Sequence, residues 1–277
     1  MVLTGEMEWK RYYREERVSR REEIKRRLEE YLSSDDPPVD RILGSGGALS
    51  FPHTHLDHSM IPVVRTVAGI LRGGYGQIIA LGVFHRMSEW DVKQEFSLDG
   101  FLDILDLAVE ISGCSNPDVS SVYLPRKREI VNDIEGTVSD LMDLGKEIAR
   151  GLNENTALVM TGDLVHYGYG YGFEDPLEDP TDLINRWVRE ELDDVYLGKD
   201  YISYLPKSSS RMSDHGYVAV AASAILGPDL RYEIISSENA DYSRILQVPS
   251  PTLVASVLYG VYPFPRHHGS GRGSDSG

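Results

Sequence analysis

The sequence predicts a three-layer α/β fold, one sheet covered by helices on both faces. Three observations carry that expectation. Short apolar, often β-branched runs bounded by turn residues recur near 48–52, 77–83, 119–124, 156–161, 230–236 and 252–259, and read as strands. Helical patterns lie between them near 60–73, 98–112, 130–152, 181–195 and 217–225, so strand and helix alternate. The chain has 277 residues, of which 41% are hydrophobic and 26% charged, a globular composition sufficient for one large α/β domain or two small ones.

Taken in order, residues 7–32 (MEWKRYYREERVSRREEIKRRLEEYL) are dense in both charge signs. Leu28, Tyr31 and Leu32 give only a thin apolar stripe, which predicts a surface helix or a pair of short helices, packed on the core or on a second subunit. SSDDPP (33–38) stops the helix. Residues 1–38 therefore read as a charged helical extension, 39–265 as the α/β domain, and 266–277 as a disordered glycine- and serine-rich tail whose His267 and His268 are poor ligand candidates. No internal repeat is visible.

The net charge of −16 argues against a nucleic-acid partner, which calls for a basic stripe, and against docking on an anionic membrane. Cys114 is the single cysteine, so an internal disulfide and a cysteine-based zinc cluster are both excluded. The N-terminus is charged and lacks the apolar core of a signal peptide, and no run approaches the ~20 apolar residues of a membrane span. The expectation is a cytoplasmic protein. There is no G-x-S-x-G elbow, and GSGG (44–47) lacks the lysine of a phosphate loop.

Three of the apolar runs end on a histidine: ALSFPHTH (48–55), IIALGVFH (78–85) and ALVMTGDLVH (157–166). In open α/β sheets ligands bind outside the carboxyl ends of the strands, so neighbouring strands would bring His53, His85 and His166 to one crevice. His53 and His55 point to one face on an extended backbone, and either is a ligand candidate. Asp163 lies three residues before His166, where it orients the imidazole or caps the following turn. Asp214 and His215 stand just before a helix beginning near Tyr217, as ligand or cap. Two histidines plus a carboxylate suit non-haem Fe(II), and three nitrogen ligands suit zinc or copper. Tyr167, Tyr169 and Tyr171 (HYGYGYG) read as an aromatic pocket wall or as part of a mobile loop.

These motifs resemble a known family. PHTHLDHS (52–59) is similar to a Pro-His motif ending in serine, LGVFH (81–85) to a glycine–X–X–histidine strand end, and TGDLVHYG (161–168) to a Ser-Asp-X-X-His-Tyr-Gly motif. DHGYVAVAASAIL (214–226) falls where the family has Cys-Gly before a helix of small residues. In order and spacing the chain resembles the Memo family (AmmeMemoRadiSam system protein B) over roughly residues 46–260. That family shares its fold, a mixed sheet between helix layers, with class III extradiol ring-cleaving dioxygenases.

The resemblance implies His53 and His85 as metal ligands, His215 or, with a one-residue shift, Asp214 as the third, and His166 as acid–base catalyst with Asp163 positioning it. The family's Glu-His-Ser-Leu-Glu stretch stands here as EFSLD (95–99), with Phe96 replacing a histidine. The reading is thus a Memo-like metal-binding protein, an Fe(II)-dependent dioxygenase-type enzyme acting on a catecholic or related small molecule. Zinc and copper are the alternative metals. Two other readings stand beside it: a non-catalytic metal- or peptide-binding protein, and a zinc hydrolase. A homo-oligomer joined through the N-terminal helix is a further expectation.

Overall fold

Seven strands form one mixed sheet in the computed structural model, which describes residues 6–85, 95–125 and 133–264. They are β1 (Ala48–Phe51), β2 (Gln77–Phe84), β3 (Asp118–Pro125), β4 (Thr156–Thr161), β5 (His166–Gly168), β6 (Leu230–Asp241) and β7 (Thr252–Pro263). The order is β3-β2-β4-β1-β7-β5, with β6 on the far edge of β7. Strands β3, β2, β4 and β1 are parallel, whereas β7 runs antiparallel to β1, β5 and β6.

Alternation along the parallel strands divides the core in two. In β2, Ile78 and Ala80 face one layer while Leu81 and Val83 face the other; in β4, Ala157 and Val159 oppose Leu158 and Met160. The first layer holds α2 (Arg21–Leu32), α3 (Pro37–Gly44), α4 (Leu56–Gly73) and α5 (Asp99–Ser112). The second holds α6 (Ile134–Ala149), α7 (Thr181–Leu192), α8 (Tyr201–Ser210) and α9 (Gly216–Leu226). Helices α1 (Glu6–Ser19) and α10 (Ser243–Leu246) complete the described set. Helix α9 is buried almost throughout, as its run of alanine and valine demands.

The strand and helix patterns expected from sequence recur as β1–β4, β6, β7, α4, α5, α6, α7 and α9. Residues 130–132 of the expected helix, and the tail with His267 and His268, lie outside the described residues. Four of the elements, α3, α8, α10 and β5, had no sequence signal of their own. Helix α3 starts on Pro37-Pro38, read above as a stop, yet proline fits the first helical turn, where its missing N–H has no partner to lose. Helix α8 carries Pro206 and four serines, and β5 is only three residues long. Strand β6 runs past a register shift at Ile234/Ser236 into SSENAD, polar residues that pair fully with β7.

The charged N-terminal stretch is two helices. Helix α2 buries Ile24 and Leu28 in the first layer, so it belongs to the core and not merely to the surface. Among the described residues no helix is long and apolar enough to cross a membrane.

Candidate metal centre

Strands β2, β4 and β1 are parallel neighbours, so their carboxyl ends open at one place. His53 follows β1 by two residues, His85 follows β2 directly, and Asp163 follows β4 by two. Asp214 arrives from the loop before α9, and His166 opens β5. Gly162 lets this loop approach: a Cβ there would stand 2.5 Å from His215 Nδ1. Two hydrogen bonds then join the loops, Asp163 N–H to the side-chain Asp214 Oδ1 at 2.7 Å and Asp214 N–H to the backbone Asp163 O at 3.3 Å. A third runs from His166 N–H to Arg211 O at 3.1 Å.

His53, His85 and Asp214 converge, with one donor atom from each within 4.8 Å of the others. His53 Nε2 is 3.3 Å and His85 Nε2 3.5 Å from Asp214 Oδ2. The opposite ring nitrogens are engaged elsewhere: His53 Nδ1 lies 3.2 Å from Thr161 Oγ1, and His85 Nδ1 2.9 Å from Glu95 Oε1. Outer partners of this kind fix the tautomer and aim Nε2 at an ion. Donors bonded to one ion at about 2.1 Å stand about 3.0–3.4 Å apart, and the two distances to Asp214 Oδ2 are close to that spacing. Asp163, His166 and Asp214 form a second such group sharing Asp214, with His166 Nε2 3.9 Å from Asp163 Oδ2.

The charges explain one another. Burial works to lower the His85 pKa, but its contacts with Asp214 and Glu95 outweigh that and hold it at about 10. Burial likewise favours a neutral Glu95; the His85 ring and the backbone N–H groups of His85 and Phe96 win, and bring it down to about 2. His53 is raised because Asp163 and Asp214 overcome its burial, and the same histidines hold Asp214 well below the ordinary carboxylate range despite its burial. Asp163 is pushed up to about 6, first by burial, and its Oδ1 is buried without a hydrogen-bond partner. A cation at this place would displace protons from the imidazoles and neutralise the paired carboxylates.

The other candidates fall elsewhere. His215, at the start of α9, turns its ring into the core, where Nε2 meets the Tyr259 hydroxyl; burial lowers its pKa to about 4. Of the two neighbours weighed for the third ligand, the geometry brings Asp214 to the histidines. His55 does not share the face of His53, because the chain bends at Thr54 to enter α4. Its ring lies against Tyr242 and His58 instead, centroids 5.1 and 4.9 Å away. Tyr167 is buried on the opposite side of β5, its hydroxyl accepting from Leu177 N–H at 2.8 Å, and Tyr169 is exposed. Tyr171 does reach the site, 4.8 Å from the His166 ring.

Two ring-orienting partners, Glu95 and Thr161, were not singled out from the sequence, whereas Phe96 was, as the residue in place of a family histidine. Glu95 was visible only as the first residue of EFSLD, ten residues from His85, a spacing with no local pattern. Phe96 stacks on His85 with centroids 4.8 Å apart and planes at 5°.

No family model matches the chain, and no curated protein matches it. Among solved structures the chain is similar to an uncharacterized protein from Escherichia coli, at 12% identity and a TM-score of 0.43, over 78% of this chain and 99% of that one.

Proposed function

We propose that the protein is a Memo-like, Fe(II)-dependent dioxygenase-type enzyme acting on a catecholic or related aromatic small molecule. The observation that carries this reading is the pair of imidazoles and one carboxylate, His53, His85 and Asp214, with both Nε2 atoms turned to Asp214 Oδ2. Two histidines and a carboxylate with open positions are the donor set of non-haem Fe(II) oxygenases. Iron there would supply Lewis acidity and one-electron chemistry toward dioxygen.

The chain's own residues supply the rest. Glu95 and Thr161 orient the two ligand rings. His166 Nε2 takes the proton from a substrate hydroxyl and later returns it, while Asp163 Oδ2, 3.9 Å away, steadies the imidazolium. Phe96, Tyr171 and Tyr242 form apolar walls that keep water from the reacting ring.

A second reading, metal binding without turnover, has one observation in its favour: Phe96 fills the place where the resembling family carries a histidine. Metal analysis by mass spectrometry on protein purified without oxygen, beside His85→Ala, comes first. Near-stoichiometric iron lost in the variant, followed by catechol-dependent oxygen uptake, is the expected result. Iron without oxygen uptake across a catechol panel favours the second reading. Absence of metal after reconstitution refutes both.

A further inference from the structure

The charged N-terminal stretch reads in the sequence as surface helix packed on the core or a second subunit, and its first helix, α1, lies on the candidate metal centre. Trp9 and Tyr13 from α1, with Phe96, Tyr171 and Tyr242, wall a cavity of about 210 Å³. His53, His85, His166, Asp163 and Asp214 line the same cavity. Four of the rings run in sequence. Phe96 and Tyr13 have centroids 5.6 Å apart, Tyr13 stacks on Trp9 at 5.6 Å, and Trp9 meets Tyr242 at 5.9 Å.

An isolated 14-residue helix is marginal in water, so something must hold these rings in place. The anchors run to the very segments that carry the ligands. Lys10 Nζ donates to Glu95 O at 2.8 Å, the residue that orients His85. Glu16 Oε2 accepts Leu56 N–H at 3.0 Å and so caps α4, the helix entered directly from the His53 loop. Tyr13 and Tyr242 hydroxyls are 3.0 Å apart, and the Tyr242 hydroxyl in turn accepts His55 N–H at 2.9 Å. Arg17 pairs with Asp103 on α5 and Arg20 with Asp57 on α4, each at 2.6 Å.

We infer that α1 is a structural wall of the metal pocket, and that its Trp9 and Tyr13 determine which ring compounds the site admits. The cavity is smaller than the ~300–1,000 Å³ of ordinary small-molecule pockets. Its aromatic lining suits a planar ring set against the candidate ligands, and Trp9 is one of the rings that bound it. This rests on the metal-centre reading above and adds to it a selectivity that the ligand set alone does not provide.

The test uses full-length protein loaded with Co²⁺ under nitrogen, with uptake read from its visible d–d absorption. Nitrocatechol (one ring) and dihydroxynaphthalene (two fused rings) are then titrated by absorbance into wild type, Trp9→Ala and Trp9→Phe. The expected result is unchanged Co²⁺ uptake in Trp9→Ala, a roughly three- to tenfold loss of nitrocatechol affinity from the missing ring contact, and a shift of preference toward the naphthalene. An unchanged ratio of the two affinities in a Trp9→Ala protein that keeps the Co²⁺ band overturns the inference and leaves the metal reading standing. Wild type that takes up no Co²⁺ overturns the metal reading, and the inference with it. Should Trp9→Ala lose the band by misfolding, Trp9→Phe decides: a smaller shift in the same direction supports the inference, and none refutes it.

Discussion

At the scale of single residues, the choice between Asp214 and His215 separates two kinds of site. The carboxylate faces both histidine Nε2 atoms, whereas the neighbouring imidazole is fully buried against Tyr259. Asp214→Asn is therefore expected to abolish metal uptake, as is His85→Ala, when each is titrated with Co²⁺ or Fe²⁺. His215→Ala should keep the metal and instead lose about 1–3 kcal/mol of stability in urea, from the emptied buried site and the lost hydrogen bond, while the Tyr259 hydroxyl keeps that of Tyr196 at 3.0 Å. Glu95→Gln keeps the shape but weakens the orienting bond to His85, and a 10- to 100-fold loss of metal affinity is expected in the same titration. His166→Ala should bind metal and lose turnover. His53 and His85 were legible because an apolar run that stops on a polar residue marks a strand end, and the β4 run led in the same way to Asp163 and, beyond it, to His166 at the start of β5. The third candidate ligand was legible only to within one residue. Successive side chains at a helix start point in quite different directions, and nothing local says which one meets a distant strand. Glu95 was illegible for a related reason: its partner, His85, lies ten residues away in the sequence.

At the scale of elements, α7 and α8 brace the site through Arg211. Its backbone carbonyl accepts from His166 N–H, its guanidinium lies over Trp187 at 5.3 Å, and it pairs with Glu190 and with Glu191, the latter at 3.2 Å. Glu191 is fully buried, and that burial outweighs the arginine and pushes its pKa up to about 7 from an ordinary 4.5. A carboxyl raised on folding contributes stability that is complete below about pH 4.5 and is lost as pH rises through about 7. Glu191→Gln removes that titration. Its stability relative to wild type should therefore grow by up to about 3 kcal/mol between pH 4.5 and 8, as read from urea midpoints at each pH. A difference that stays flat with pH would show the ion pair with Arg211 to prevail over burial. None of this was visible in TDLINRWVREEL, where Glu191 reads as one more charge on an amphipathic helix. The periodicity reported the helix correctly but not that its apolar arc includes a carboxyl.

At the scale of the whole molecule, the centre exists only when distant parts of the chain have met. His53, His85 and Asp163 come from three parallel strands whose sequence order differs from their order in the sheet, Asp214 from the far side of the α7–α8 layer, and the closing wall from the N-terminal helix. Parallel pairing of β1, β4 and β2 needs the long crossovers through α4, α5 and α6, so no fragment short of the sheet presents two ligands together. A metal that binds this arrangement binds the native state and not the unfolded chain, and its binding energy appears as global stability. Ion held free at 100 times its dissociation constant should add about 2.7 kcal/mol. For a chain of this size that corresponds to a rise of about 5 °C in Tm by scanning calorimetry. The same excess should leave His85→Ala where it was, although that variant keeps the sheet and both core layers. If the variant rose as much as wild type, the stabilising ion would be sitting on the acidic surface, which at a net charge of −16 offers many weak places for one. A rise confined to wild type would tie the metal to the crevice at the strand ends, where fold and chemistry depend on the same contacts.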